Sequence, residues 1–132
     1  MRNEELTGLL IFREATPADV SFLYSSFLRS YRESPIVKGV DNSTYYNEQA
    51  KVVAKLLQNC EVKVVSPTND LNSILGYIIY KNDTIHFVYV KHAFRKLGIG
   101  RLLVETYCPE FVQYTHFCHR KPTTGIYNPF AI

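Results

Sequence analysis

The sequence predicts an α+β fold in which helices flank a mixed, mostly antiparallel sheet. The predicted elements follow the order β-α-α-β-β-β-α-β, which departs from the strict alternation of a doubly wound parallel sheet. Two apolar segments are joined by Lys81-Asn82-Asp83, a turn typical of an antiparallel hairpin. After the hairpin, glycines at 98 and 100 open the last predicted helix.

The first half of the chain predicts one strand followed by two helices. Residues 1–8 are a polar lead-in, and 9–13 are apolar enough for a buried strand. The segment 16–19 begins a helix with a threonine N-cap, a proline and an acid, and Pro35 ends that helix. A second helix begins at 41–43. The apolar faces of the two helices recur at helical spacing: Val20, Leu23, Tyr24, Phe27 and Tyr31 in the first, and Tyr46, Ala50, Val53 and Leu57 in the second.

The second half of the chain contributes most of the predicted sheet. Its strands are rich in β-branched and aromatic residues, and its turns in Pro, Asn, Asp and Gly. The elements are, in order, strands at 61–65, 73–80 and 84–90, a helix at 101–107 that Pro109 ends, a strand at 111–117 and a short strand near 125–127.

Composition indicates one globular domain, 1–132. With 132 residues, 46% of them hydrophobic and 20% charged, the chain can bury its own core. No apolar run approaches the roughly 20 residues of a membrane helix, and residues 1–5 lack the apolar segment of a secretory signal. Three cysteines without Cys-x-x-Cys spacing indicate reduced thiols. We therefore expect a cytoplasmic protein without membrane contact.

The segment 88–103 carries the clearest chemical signal. It runs from a strand through a basic turn into a helix, with four cationic residues and no acid between 91 and 101. A helix N-terminus offers unpaired N–H groups and the positive end of the dipole, and glycine lets the backbone approach an anion. The segment lacks the Gly-Lys-Ser/Thr of a P-loop, and Leu103 replaces the third glycine of a dinucleotide fingerprint. The pattern predicts a phosphate site of another kind.

The motif Arg95-x-x-Gly98-x-Gly100 resembles the acyl-CoA pyrophosphate loop of the GCN5-related N-acetyltransferase (GNAT) superfamily. The preceding strand that ends at Val90, the aromatic Phe94 and the leucines after Gly100 also fall where that family places them. The resemblance covers about 9–117, including the order of the upstream elements, and implies a GNAT-like fold.

The C-terminus departs from the family pattern. Only 15 residues follow Phe117, so the family's usual last helix, which often donates a tyrosine, is absent or replaced. The tail Tyr127-Asn128-Pro129-Phe130 bears a fainter resemblance to small GNAT-type proteins of tailed bacteriophages, which would place the protein in a bacterial or phage-infected cell.

The resemblance implies acetyl-CoA as the acyl donor. Its pantetheine arm would lie beside strand 84–90, in a splay next to 111–117, with the backbone of that strand pairing to it. Its pyrophosphate would rest on backbone N–H groups of the glycine turn, and an N–H near Val90 would stabilise the oxyanion. The implied cofactor-binding residues are Val88, Tyr89, Val90, Arg95, Lys96, Leu97, Gly98, Ile99, Gly100 and Arg101.

Catalysis also requires a base for the amine and a proton for the thiolate. His86 is a candidate base because it sits on the strand beside the expected site, with Glu14 and Glu33 as alternatives. Tyr127 is the tail tyrosine that could replace the missing helix tyrosine as acid. A structural role remains open for both His86 and Tyr127, and so does a packing role for the two glycines. The amine acceptor would contact the loop between the first two helices, at Tyr31, Glu33, Tyr45 and Tyr46.

Two other patterns point elsewhere. His116-Phe117-Cys118-His119 looks faintly like a metal tract, but no second ligand pair lies at zinc-site spacing, so we expect no metal. The basic residues of 91–101 and His119-Arg120-Lys121 form two short patches rather than a stripe, at a net charge of only +3. A nucleic-acid-binding module is therefore the least favoured interpretation.

The favoured function is an N-acetyltransferase that moves an acetyl group from acetyl-CoA to an amine of a small molecule or protein. The alternative is a catalytically inactive GNAT-fold protein that serves in binding or assembly. A homodimer is also expected, because a shortened C-terminal edge would leave a strand unpaired.

Overall fold

A computed structural model describes residues 3–117 and 122–131. It contains a six-stranded sheet and four α-helices, with short 3-10 turns at Pro17–Asp19 and His92–Phe94. The strands are β1 (Leu10–Glu14), β2 (Glu61–Pro67), β3 (Gly76–Lys81), β4 (Thr84–Val90), β5 (Gln113–Tyr114) and β6 (Ile126–Tyr127). The helices are α1 (Asn3–Gly8), α2 (Val20–Tyr31), α3 (Asn42–Asn59) and α4 (Ile99–Tyr107).

The strands lie in the sheet in the order in which they occur in the chain. Strands β1 to β4 form an antiparallel meander, whereas β5 and β6 are added in parallel beyond β4. The predicted α+β class with a mostly antiparallel sheet is confirmed. The C-terminal strand near 125–127 also forms, as β6, and pairs with β5.

The core has two layers, one on each face of the sheet. Leu6 of α1 and Leu103 of α4 pack with Ile78 on one face, whereas Phe27 of α2 and Val53 of α3 pack on the other. This division follows from alternation, since successive strand residues point to opposite faces. The helices therefore cover both sides of β3 and β4, which are the central strands. Within the described ranges, none of the helices is long and apolar enough to cross a bilayer.

The start of α2 follows the predicted capping pattern. Asp19 accepts hydrogen bonds from the backbone N–H and the hydroxyl of Thr16, and its carboxylate forms a 2.7 Å ion pair with Arg13. The hydrogen bond from Arg13 lowers the pKa of Asp19 to about 2. Helix α2 ends at Tyr31, four residues before Pro35, because the chain already turns at Arg32.

Three local predictions are wrong. The lead-in 1–8 contains helix α1, which forms because Leu6 is buried against the sheet. The apolar face of α3 is centred on Tyr45 rather than Tyr46, because the Tyr45 hydroxyl donates to the carbonyl of Leu28 and Tyr46 remains at the surface. The strand predicted at 111–117 is limited to the two residues of β5, because the chain leaves β4 after Tyr114.

Candidate functional site

A groove opens where β4 and β5 diverge. The two strands pair only from Thr84 to Ile85 on β4 and from Gln113 to Tyr114 on β5. Beyond these pairs lies a cavity of about 600 Å³, within the usual range for ligand pockets. Its lining comes from β4, α4 and the segment after β5, and includes Val88, Val90, Arg95, Gly100, Val104, Phe111, His116 and Phe117.

A β-bulge in β4 determines which backbone groups face this groove. Tyr80 of β3 pairs with Ile85, and the neighbouring Ile79 pairs with Phe87, so His86 is the extra residue. A bulge of this kind shifts the alternation of a strand by one residue. Before His86 the odd-numbered residues of β4 direct their backbone N–H and C=O groups towards β5, and after His86 the even-numbered residues do so.

The hydrogen bonds on each side of the bulge show this change. Before it, the carbonyl of Ile85 accepts from the chain just after β5. After it, the N–H of Lys91 donates to the carbonyl of Leu75, on the β3 side. Because alternate residues point to opposite edges, the backbone groups of Val88 and Val90 lie on the edge of β4 that faces the groove.

The turn before α4 presents backbone N–H groups at the end of this edge. Gly98 adopts a φ of 95°, a left-handed conformation that favours glycine. The first hydrogen bond of α4 runs from Leu102 N–H to the carbonyl of Gly98. The N–H groups of Ile99, Gly100 and Arg101 precede it and have no acceptor within the helix. The positive end of the helix dipole points the same way, which favours an anion.

Cationic side chains surround that turn. Arg95 is half-buried, and its Nε donates to the carbonyl of Val90 at 2.9 Å. Arg101 is exposed and forms a 3.1 Å ion pair with Glu105 one helical turn later. Lys96 is also exposed and has a φ of 67°. The turn therefore joins N–H groups and positive charge at one end of the groove, while Leu97 beside it is partly exposed.

Packing does not require glycine at position 100. A Cβ atom built there would lie 3.5 Å from Val90 Cγ2 and 3.7 Å from Val88 Cγ1, which are ordinary van der Waals distances. The packing role left open for Gly98 and Gly100 therefore does not explain the second glycine. A methyl group at this position would nevertheless narrow the groove between α4 and β4.

His116 lines the groove from the other face of the sheet. Its ring is packed edge-on against Phe27 and Tyr31 of α2, with ring centroids 5.4 and 4.8 Å away. His116 Nδ1 lies 2.7 Å from Thr115 Oγ1, and its Nε2 lies 3.2 Å from Gln49 Nε2. Burial lowers the pKa of His116 to about 4.

The predicted catalytic residues occupy different positions. His86 is buried and not among the groove-lining residues, and its Nδ1 lies 3.0 Å from Thr115 Oγ1. Burial lowers its pKa. Glu33 is exposed in the segment between α2 and α3, and Glu14 pairs with Lys63 at the far edge of the sheet.

Tyr127 lies closer to the groove. It packs against Tyr114 and Phe117, both of which line the groove, with ring centroids 5.7 and 5.3 Å away. Burial raises the pKa of the Tyr127 phenol, and a hydrogen bond with Tyr31 opposes that shift. The structure thus brings Tyr127 and Tyr31 together beside His116.

The remaining acceptor candidates divide between core and surface. Tyr31 and Tyr45 are buried, whereas Tyr46 is exposed and stacks edge-on against Tyr45. Arg32 lies 4.8 Å from the ring centre of Tyr45. Cys118, His119, Arg120 and Lys121, which belong to the metal-like tract and the second basic patch, lie outside the described residues.

Sequence reasoning missed His116, which lines the groove, and Thr115, which contacts its ring. In the sequence, His116 stands out only as part of the metal-like tract 116–119. Its position on a predicted strand next to 84–90 was the available signal, since neighbouring strands can bring His86 and His116 close together. The bulge and the hydrogen bond through Thr115 have no local pattern that predicts them.

Comparisons with known proteins bear on the fold. No family model matches the chain, and no curated protein matches its sequence. Among solved structures, a possible acetyltransferase from Clostridium difficile 630 is 18% identical, covering 87% of this chain and 83% of its own, with a TM-score of 0.58. A GCN5-related N-acetyltransferase from Rhodopseudomonas palustris is 15% identical, covering 74% of this chain and 62% of its own, with a TM-score of 0.52.

The fold is that of the GCN5-related N-acetyltransferases. A third neighbour, YncA from Salmonella typhimurium, was solved with its cofactor acetyl-CoA. It is 19% identical, covering 76% of this chain and 62% of its own, with a TM-score of 0.51. In this GNAT fold the diverging strands β4 and β5 and the turn before α4 form one continuous groove. The resemblance of the tail to phage proteins stays a prediction.

Proposed function

We propose that this protein is an acetyl-CoA-dependent N-acetyltransferase that acts on an amine of a small molecule or protein. The proposal rests on three features that lie side by side along one groove. A single groove is bordered by the outer edge of β4 after the bulge, by the N–H groups at the start of α4 that lack an acceptor within the helix, and by the side chain of Arg95. A ligand with an amide-containing arm and a pyrophosphate matches these three features.

The pantetheine arm and the pyrophosphate of acetyl-CoA each have a matching surface. The pantetheine arm would pair with the backbone of Val88 and Val90, alongside Tyr89. The pyrophosphate would bind the N–H groups of 97–101, with Arg95, Lys96 and Arg101 supplying positive charge. Acetyl-CoA supplies the thioester that an amine can attack.

Two further roles belong to the proposal. The Val90 N–H, on the groove-facing edge of β4, would donate to the oxyanion, and losing one such donor typically costs about 100- to 1,000-fold in rate. Tyr127 is the candidate proton donor to the thiolate, which its packing on Tyr114 and Phe117 supports. Neither His86 nor Glu33 lines the groove, so neither has the base role in this proposal.

Calorimetric titration with acetyl-CoA tests the binding half of the proposal. Arg95→Glu reverses a charge at the groove and should weaken binding by about tenfold or more. Lys55→Glu makes the same change in charge on the exposed surface of α3 and should leave binding unchanged. Wild-type protein that does not bind acetyl-CoA, or equal affinities for the two variants, would contradict the proposal. Thermal unfolding of both variants checks that each is folded.

The second candidate is a GNAT-fold protein that binds a partner without catalysis. One observation favours it: among the described residues that line the groove, none is Asp or Glu. Acetyl transfer to an amine, measured by release of the CoA thiol, separates this candidate from the enzyme.

A further inference from the structure

The groove passes through the sheet at the point where β4 and β5 separate. Val88 and Val104 belong to the core on the α4 face, whereas Tyr89 belongs to the core on the α2 and α3 face. His116 and Ser30 line the groove from that second face. An acyl donor held at α4 would therefore present its thioester through the sheet, and an amine could approach it from the side of His116.

His116 has the right chemistry for a base at this position. Since the described lining includes no carboxylate, the other titratable side chains along the groove are phenols and guanidinium groups. Those groups are poor proton acceptors at neutral pH. The imidazole of His116 is the remaining candidate among the described lining residues.

The hydrogen bonds around His116 determine its tautomer. Gln49 reaches His116 Nε2 through its amide nitrogen, which only donates, so Nε2 must accept and the ring proton must be on Nδ1. Thr115 Oγ1 then accepts from Nδ1–H of His116, 2.7 Å away. The hydroxyl proton of Thr115 is left for His86, whose carbonyl oxygen lies 3.3 Å away and whose Nδ1 lies 3.0 Å away. The lone pair of His116 Nε2 points towards Gln49 on α3.

The surroundings keep this imidazole neutral. The elements packed against it contribute Phe27 and Tyr31 from α2, Gln49 from α3 and His86 from β4. Burial is the main cause of its lowered pKa, and His86 adds a smaller contribution in the same direction. The imidazole of His116 is therefore neutral at pH 7, with an unprotonated nitrogen, although its lowered pKa makes it a weaker base than a free imidazole.

We propose that His116 is the general base of the transfer and that Thr115 and His86 are positioning residues which hold its Nε2 lone pair available. This inference rests on the proposed function. The acceptor nitrogen forms a bond to the acetyl carbonyl carbon while the carbon–sulfur bond of the thioester breaks. The proton leaves the nitrogen for His116 Nε2 as the new bond forms, because the nitrogen then carries positive charge. The CoA thiolate takes a separate proton, for which Tyr127 is the candidate donor.

In this proposal the nitrogen of the acceptor amine displaces the Gln49 amide from His116 Nε2. Gln49 is half-buried on α3, so its side chain can move towards solvent and leave its place to the amine. The ring edges of Phe27 and Tyr31 and the neighbouring Tyr127 then form an aromatic surface around the nitrogen.

The experiment combines kinetics with spectroscopy. Acetyl-CoA is supplied with three primary-amine probes (spermidine, phenethylamine and a peptide with a free N-terminal alanine), and CoA thiol release is followed. We expect His116→Gln to lower kcat by about 100-fold or more while calorimetric binding of acetyl-CoA stays unchanged. Thr115→Val should lower kcat in the same way, and Thr115→Ser, which keeps the hydroxyl, should restore it.

The second readout does not depend on turnover. Long-range ¹H–¹⁵N spectra of labelled protein at pH 7 should show His116 neutral with its proton on Nδ1, and Thr115→Val should reduce that preference. An imidazolium, an Nε2–H tautomer or an unchanged kcat in His116→Gln would overturn the inference while leaving the proposed function intact. Wild-type protein that binds acetyl-CoA but acetylates none of the amines would contradict the proposed activity and the role of His116 together.

Discussion

Replacing Gly100 with alanine separates a binding role from a packing role. The added methyl would meet Val90 Cγ2 and Val88 Cγ1 at 3.5 and 3.7 Å, so the fold accommodates it without displacement. Alanine is favoured over glycine in a helix by up to about 1 kcal/mol. The free energy of unfolding should therefore stay the same or rise by up to that amount. The methyl would narrow the groove where α4 faces β4, and acetyl-CoA affinity should fall about tenfold, or about 1.4 kcal/mol.

Gly98→Ala is the matched control for this variant. Gly98 has a φ of 95°, and a non-glycine residue in that region costs about 1–2 kcal/mol. In urea unfolding, Gly98→Ala should therefore be less stable than the wild type, whereas Gly100→Ala should be as stable or more stable. Calorimetry with acetyl-CoA gives the affinity of each variant. If Gly100→Ala is destabilised by more than about 1 kcal/mol, glycine serves packing there. If it binds acetyl-CoA as the wild type does, the groove is not the donor site.

Three other perturbations have defined outcomes. Gly76→Ala would place a Cβ 2.5 Å from the backbone oxygen of Tyr89 and should cost about 3 kcal/mol of unfolding free energy; a neutral effect in urea unfolding would show that β3 and β4 can separate freely. The ion pair with Arg13 lowers the pKa of Asp19 below its unfolded value, so its stabilisation is present above about pH 4 and is lost as pH falls through about 2. Asp19→Asn should remove about 2 kcal/mol of that pH dependence, and an identical acid unfolding profile would count against it. Lys96→Gly relieves a φ of 67° and should raise stability by up to about 1 kcal/mol while weakening acetyl-CoA binding; a loss of stability would contradict the conformational part.

The elements that periodicity and turn chemistry specify could be predicted from the sequence. Strand β4 begins and ends at the predicted residues, 84–90, because Asn82 in the turn before it takes the positive φ that the hairpin needs. Helix α4 starts where the glycines predict. The capping residues 16–19 likewise give the start of α2. Each of these signals is local in the chain.

The wrong predictions concern elements whose position depends on contacts between residues far apart in the chain. The phase of α3 depends on a hydrogen bond from Tyr45 to Leu28, 17 residues away. Helix α1 depends on burial of Leu6 against a sheet whose strands come later in the sequence. The bulge at His86 depends on pairing with β3 on one side and β5 on the other.

The same limit applies to the candidate site. The glycine turn and its cationic residues are contiguous in the chain, so the donor-binding segment could be predicted from the sequence alone. The proposed acceptor side involves α2, α3 and the residues after β5, and no spacing rule links Gln49 to His116. Sequence reasoning could therefore point to His86 on the hairpin, whereas the position of His116 along the groove depends on contacts that are distant in the chain.

The most direct test of the central claim is an NMR titration of ¹⁵N-labelled protein with acetyl-CoA. If the cofactor binds in the groove, the largest amide shifts will be at Val88, Val90 and 97–101, with smaller shifts at Thr115 and His116. Shifts confined to surfaces away from the groove, or no shifts at millimolar acetyl-CoA, where even a weak specific complex would be populated, would contradict the assignment of this groove.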